Sequence, residues 1–243
     1  MTRVPRNLEF VYHGTNEKHL REIRKRGLHP RASSGVSNYD GELASAFTSH
    51  EDFVYLSNTR AIVYGLAADG RRRVMLLEIP LTALDESLCC PDEDSIVIRR
   101  LIGEGVYETT KHDKRFDEIL KDTKPRDYRA DWKSYFTEFG NVAYAGVIPF
   151  SAIRRLALID KPTLTNVVLP ILRRFSKRAN TIERLLDVQS DAISFIFDGA
   201  AIADMPSEEM RRLRVLRLQY VEVRMPRSAA FVSYSRTGID GAD

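Results

Sequence analysis

Apolar and polar positions alternate in short blocks through the first two thirds of this 243-residue chain. Leu8-Glu9-Phe10-Val11-Tyr12-His13 reads as a strand ended by Gly14-Thr15. Asn16 then stands as an N-cap before a helix over 17–26, with Leu20 and Ile23 on one face and Gly27 as its stop. Residues 30–49, rich in Ser, Gly and Asn, lack periodicity and read as a long loop, a kind of segment that in compact domains is usually functional. Phe53–Ser57 is a second strand, Thr59–Ala68 a short helix, and Arg73–Pro80 a third strand whose continuous apolar run places it inside a sheet. Residues 91–132 read as a polar insertion of weak pattern. Asn141–Ile148, closed by Pro149, and Leu156–Ile159 are two more strands. Beyond Pro162, apolar residues from Val168 to Leu186 recur at three- and four-residue steps, as in an amphipathic helix. An apolar stretch over 192–202 and a capped segment from Ser207 to Arg217 follow, and the residues from Tyr234 to Asp243 read as a frayed tail. The pattern predicts an α+β fold: a sheet-containing body over 1–160 and a helical, partly basic extension over 161–243 packed on it.

Composition narrows the class. Apolar residues make up 43% and charged residues 29% of the chain, close to the globular average. No run of eighteen apolar residues occurs, so no membrane span is expected. The first residues lack the apolar core of a secretory signal. The two cysteines, Cys89 and Cys90, are neighbours that cannot close an ordinary disulfide and are too few for a thiolate zinc site. A reducing, cytoplasmic setting is the expectation. Net charge is only +3. His19, His29, His50 and His112 lack metal-ligand spacing and are expected on the surface, and Asp92-Glu93-Asp94 lacks the regularity of a calcium loop and reads as a solvated turn. No metal is expected.

Chemistry concentrates in three places. Tyr12-His13-Gly14-Thr15 ends a strand and is followed, at helix length, by Gly27-Leu28. Tyr55-Leu56-Ser57 ends a second strand, with Tyr64 nine residues on. Glu138 precedes the strand that closes at Pro149. This order resembles the diphtheria-toxin-like and poly(ADP-ribose) polymerase-like ADP-ribosyltransferases of the His-Tyr-Glu type, over approximately residues 8–159. The resemblance implies an ADP-ribosyltransferase fold with a split sheet and NAD as co-substrate. It implies that His13, with Thr15 nearby, binds ribose, that the Gly14 backbone approaches the carboxamide, that Tyr55 and Tyr64 sandwich the nicotinamide, and that Ser57 donates a hydroxyl. Flat phenol faces suit a flat cationic ring, and a carboxylate suits the charge that develops when the glycosidic bond breaks. Glu138 is the preferred carboxylate. Counting back from Pro149 places Asn141 where the family's glutamate usually stands, so Asn141 is the alternative.

The resemblance implies transfer of ADP-ribose, with release of nicotinamide, to a nucleic acid or protein acceptor. Small unfused members of this group act as toxins or defence effectors in bacterial and phage settings, so a neutralising antitoxin protein is an implied partner. Basic runs at Arg71-Arg72-Arg73, over 173–178 and over 211–217 lean towards RNA or DNA, although 160–243 as a whole holds thirteen Lys and Arg against eleven Asp and Glu. Two other readings stand beside it: a tRNA 2′-phosphotransferase-like NAD enzyme, and a catalytically silent module that binds NAD, ADP-ribose or a partner.

Overall fold

The computed structural model describes residues 8–30, 32, 50–68, 73–105, 112–168, 170, 182–198, 221–224 and 232–235. Six strands form one antiparallel sheet: β1 (Phe10–Asn16), β2 (Val54–Ser57), β3 (Arg73–Pro80), β4 (Cys89–Cys90), β5 (Asn141–Tyr144) and β6 (Arg155–Asp160), in the order β4-β5-β2-β1-β3-β6. β7 (Val221–Arg224) and β8 (Val232–Ser235) make a separate antiparallel pair. The described helices are α1 (Leu20–Arg26), α2 (Ala61–Ala67), α3 (Glu93–Gly103), α4 (His112–Asp122), α5 (Trp132–Phe139) and α6 (Ile182–Asp198). None is long and apolar enough to cross a membrane. The fold is α+β.

Strand alternation gives the sheet two apolar faces. On one, Val11, Met75, Leu77, Leu56, Val142 and Leu156 pack beneath Ile23 of α1 and Trp132 and Phe136 of α5. On the other, Tyr12, Val74, Leu76 and Ile159 pack against Ala61 and Ile62 of α2 and against Ile193, Ile196 and Phe197 of α6. The segment expected as a helical extension thus contributes α6 to the sheet's own core. Glu78, fully buried on β3, is held bidentately by Arg155, which also donates to Asp198 Oδ1 at 2.6 Å and to the Phe197 carbonyl at 3.2 Å. This charge cluster pins the end of α6 to β3 and β6.

Several sequence expectations are corrected. β1 does not stop at His13: it continues through Gly14 to Asn16, fully paired with β3. The segment 91–132 is not a patternless insertion but carries α3, α4 and a 3-10 stretch, Pro125–Asp131, with Ile96, Val97, Leu101 and Ile119 buried. β5 ends at Tyr144, and Ile148 instead forms a bridge with Leu28. Tyr234 and Ser235 belong to β8 rather than to a tail. Asn16 does cap the turn that leads into α1, accepting from the Lys18 amide at 3.0 Å, and Gly27 ends the helix with φ of 83°. The expected loop beyond Ala32, Arg71 and Arg72, the basic runs over 173–178 and 211–217, and the capped segment at Ser207 lie outside the described residues.

Candidate functional site

The recorded β1–β2 pairing is Tyr12 with Ser57. Past that point the His13 side chain takes the place of a ladder bond: Nδ1 donates to the Tyr55 carbonyl at 3.0 Å. That bond puts the neutral ring's proton on Nδ1 and leaves Nε2 as an acceptor. Burial holds the imidazole below its ordinary pKa, although the bond to Tyr55 opposes the shift. Alternation assigns the His13 side chain to the face of Val11 and Leu77, and those of Tyr55 and Ser57 to the face of Tyr12. Imidazole and Tyr55 are therefore joined through the main chain, not through the phenol.

The Tyr55 phenol goes elsewhere. It donates to Glu93 Oε1 at 2.6 Å and accepts from the His50 amide at 2.9 Å. Glu93 is the first residue of α3 and is only 3% exposed, and its Oε2 has no hydrogen-bond partner among the described residues. Asp92, also 3% exposed, is the N-cap of α3, and Asp94 follows in its first turn. These acids are not a solvated turn, as their composition suggested. Three carboxylates there suit the positive end of the helix, yet burial dominates and raises the pKa of all three, against the pull of Arg60 on Asp92 and Asp94 and of the Tyr55 bond on Glu93. Arg60 donates to Asp94 at 3.3 Å. Burial works to lower its pKa, but Tyr64, to which it is hydrogen-bonded, and the two aspartates raise it on balance.

Ser57 knots the opposite end of β2. Its Oγ donates to Asn141 Oδ1 at 2.6 Å and accepts from the amides of Thr59 at 3.0 Å and Arg60 at 2.6 Å. Asn141, across from Ser57 in the β2–β5 register, donates to Ser95 Oγ at 3.3 Å, and Ser95 donates to Asp92 at 3.4 Å. Tyr55, Ser57, Tyr64 and Asn141 thus join one continuous polar network around the start of α3, and His13 is attached to it at the Tyr55 carbonyl. Thr15 is buried within β1.

Glu138 is placed differently. Trp132, Tyr135, Phe136 and Phe139 form the buried stripe of α5, and Glu138 lies off that stripe, its side chain 43% exposed. Arg99 of α3 holds it, with Nε donating to Oε2 at 2.8 Å, while the Arg99 guanidinium stacks 3.5 Å above the Tyr135 ring. Gly140, left-handed at φ of 77°, caps the helix two residues after Glu138. Of the candidate carboxylates, then, the strand start carries Asn141, the helix exterior Glu138, and the contact with Tyr55 belongs to Glu93.

The two glycines of the motif have structural causes. A Cβ at Gly14 would lie 1.8 Å from the Ala61 carbonyl oxygen and 2.7 Å from the Gly65 amide, so α2 already fills that space. A Cβ at Gly27 would meet the Ile148 carbonyl oxygen at 2.4 Å, beside the Leu28–Ile148 bridge. Helix packing against β1 explains the close approach at Gly14 without a ligand.

The sequence missed Glu93, Asp92 and Arg60. The signal was present: Pro91-Asp92-Glu93-Asp94 before Ile96, Val97 and Leu101 is a helix start with an acidic first turn. Among the described residues there is no cluster of His, Cys, Asp and Glu fit to hold a metal ion.

No family model matches the sequence, and no curated protein matches it. Among solved structures, the chain named EcPltA is similar over 63% of this chain and 77% of that one, with 12% identity and a TM-score of 0.31. Fold and site together define an α+β protein with a buried acidic network at the junction of β2, β5 and α3.

Proposed function

We propose that this chain is an NAD-dependent ADP-ribosyltransferase that releases nicotinamide and transfers ADP-ribose to a nucleic acid or protein acceptor. The observation that carries the reading is the Tyr55–Glu93 bond, with Glu93 Oε2 buried and lacking a partner among the described residues. A buried acceptor without a donor is unfavourable by about 1–3 kcal/mol, and a hydroxyl or carboxamide donor of a bound dinucleotide would relieve it. The reading assigns a bound dinucleotide the acceptor at Glu93 Oε2 and the phenols of Tyr55 and Tyr64, and the acceptor at His13 Nε2 on the opposite face of the sheet from the Tyr55 side chain. Gly14 contributes less than its motif suggests, because α2 fills the space beside it.

NAD supplies the C1′–nitrogen bond that breaks, its electron pair leaving with neutral nicotinamide as positive charge develops on the ribose. Glu93 is then the carboxylate best placed to offset that charge, since it sits against Tyr55, whereas Glu138 would first have to leave Arg99. Tyr55 is held by this bond and orients the ring-binding surface. His13, neutral, accepts a ribose hydroxyl at Nε2.

Nicotinamide release from NAD by the purified chain tests the reading. Release is expected, abolished by His13→Ala and reduced at least tenfold by Glu93→Gln, while Glu138→Gln retains it. A second reading, a silent module that binds NAD without cleaving it, draws on Asn141 at the strand start and on Glu138 being engaged by Arg99. Calorimetric NAD binding without nicotinamide release favours that module; absence of both binding and release refutes both readings.

A further inference from the structure

The net positive charge of the chain equals the excess carried by one short segment. Residues 17–26 carry five cations against two acids, so the other 233 residues hold 32 charges of each sign. Lys18, Arg21, Arg24 and Lys25 are all exposed and, with Glu17 and Leu20, line a groove of about 480 Å³ on the flank of α1. At 3.6 residues per turn, Arg21, Arg24 and Lys25 fall within an arc of about 100°, and the acid on that side, Glu17, lies in the turn before α1. Glu17 is already paired with Arg73 at 3.8 Å, and Arg21 and Lys25 carry no ion pair among the described residues.

The helix dipole accounts for only part of this. Arg24, Lys25 and Arg26 stand in the last turn, where cations are favoured. Lys18, in the turn before α1, and Arg21 stand at the opposite end, where the same dipole disfavours them, so the dipole does not explain their presence. The apolar residues of α1 are committed elsewhere: Ile23 is buried in the core and Leu20 packs against it. No apolar stripe is left on α1 for a bilayer or for the dry centre of a protein interface. A row of guanidinium and ammonium groups along a groove fits repeated phosphates, which Arg can grip bidentately. The groove begins four residues after His13, at the end of the strand that carries the candidate site.

We propose that the basic flank of α1, formed by Lys18, Arg21, Arg24 and Lys25, binds the sugar-phosphate backbone of a nucleic acid strand. As the acceptor platform of the transferase site this inference rests on the reading above; as a binding surface it does not, and it is tested without NAD. The probe is a fluorescently labelled twenty-nucleotide RNA titrated with the full chain, followed by polarisation at several salt concentrations. Single-stranded DNA, duplex DNA and phosphatidylserine vesicles are run beside it. Saturable binding to nucleic acid is expected, with a log–log salt slope of about −2 to −3 for three or four phosphates contacted on a single strand. The triple variant Arg21→Gln, Arg24→Gln, Lys25→Gln should bind at least tenfold more weakly with a slope flattened by about 2, its circular dichroism unchanged. A control of equal charge change, Lys121→Gln, Lys124→Gln, Arg129→Gln, should stay within twofold of the parent. Absence of binding, equal loss in both triple variants, or tighter binding to vesicles than to any nucleic acid would overturn the proposal. Nicotinamide release is scored separately, so either idea can fail without the other.

Discussion

Tyr55 and Glu93 lie 38 residues apart and meet at 2.6 Å, phenol to carboxylate, with the other carboxylate oxygen buried and without a partner among the described residues. The contact links the second strand of the chain to the N-terminus of α3, and it gives Glu93 a measurable pH signature. Burial raises its pKa, so the folded state holds the proton to higher pH than the unfolded chain does. Stability must then fall as pH rises from the ordinary glutamate value of 4.5 through the raised one. Burial raises the pKa of Asp92 and Asp94 as well, with Arg60 as the nearby cation that opposes it. Glu93→Gln removes one ionisation and keeps the shape. The variant should gain on the parent as pH rises from about 4.5 to 8, read as paired thermal midpoints. A constant difference across that range would show that Glu93 titrates normally.

His13 gives the opposite sign. Burial lowers its pKa, so its contribution is fully present above the ordinary imidazole value of 6.5 and is lost as pH falls through the depressed one. The parent should therefore lose more stability than His13→Gln between about pH 7.5 and 5. Chemical denaturation at the two pH values measures it. Parallel losses would mean that the imidazole is free to protonate in the folded chain.

Gly14→Ala should be among the most damaging single-methyl changes in the protein. The added carbon would lie 1.8 Å from a backbone oxygen of α2, which cannot swing aside as a side chain can. A loss of about 3 kcal/mol or more, or failure to fold, is expected in urea unfolding. A loss under about 1 kcal/mol would place α2 farther from β1 than described here. NAD cleavage lost in this variant would report on folding, so it is no test of carboxamide binding.

Arg155→Met leaves Glu78 buried without its principal counter-charge and frees the end of α6 from Asp198 and Phe197. Breaking such a pair typically costs 3–5 kcal/mol, whereas replacing both partners with apolar residues often restores much of that. The double variant Glu78→Leu, Arg155→Met should therefore be more stable than Arg155→Met alone, by differential scanning calorimetry. Amide exchange in α6 should speed up in the single variant before the rest of the sheet opens.

The glycines of the two strongest sequence motifs have a packing reason of their own. His-Gly-Thr and Gly-Leu mark places where the backbone of α2 and the Ile148 bridge approach too closely for a side chain. That pressure comes from the fold, and it exists whether or not a ligand binds. Glu138 illustrates a signal present but outweighed: Trp132, Tyr135, Phe136, Phe139 and then Gly140 spell an amphipathic helix with a glycine stop, which puts Glu138 on the polar side. Counting residues back from Pro149 could not detect this, because a helix and a strand advance by different amounts per residue.

The local order of the chain was settled by its own pattern. β1, β2, β3 and β6, the Asn16 cap, the Gly27 stop and the α+β class all follow from period-two and period-3.6 spacing, which short-range sterics and hydrogen bonding enforce. Which side chains share a site was decided only by folding. Glu93 reaches Tyr55, and Ser57 reaches Asn141, across 38 and 84 residues of chain. Such pairings are fixed by strand register and by where a helix lands, and burial then sets their charge; neither quantity has a local signature in the sequence.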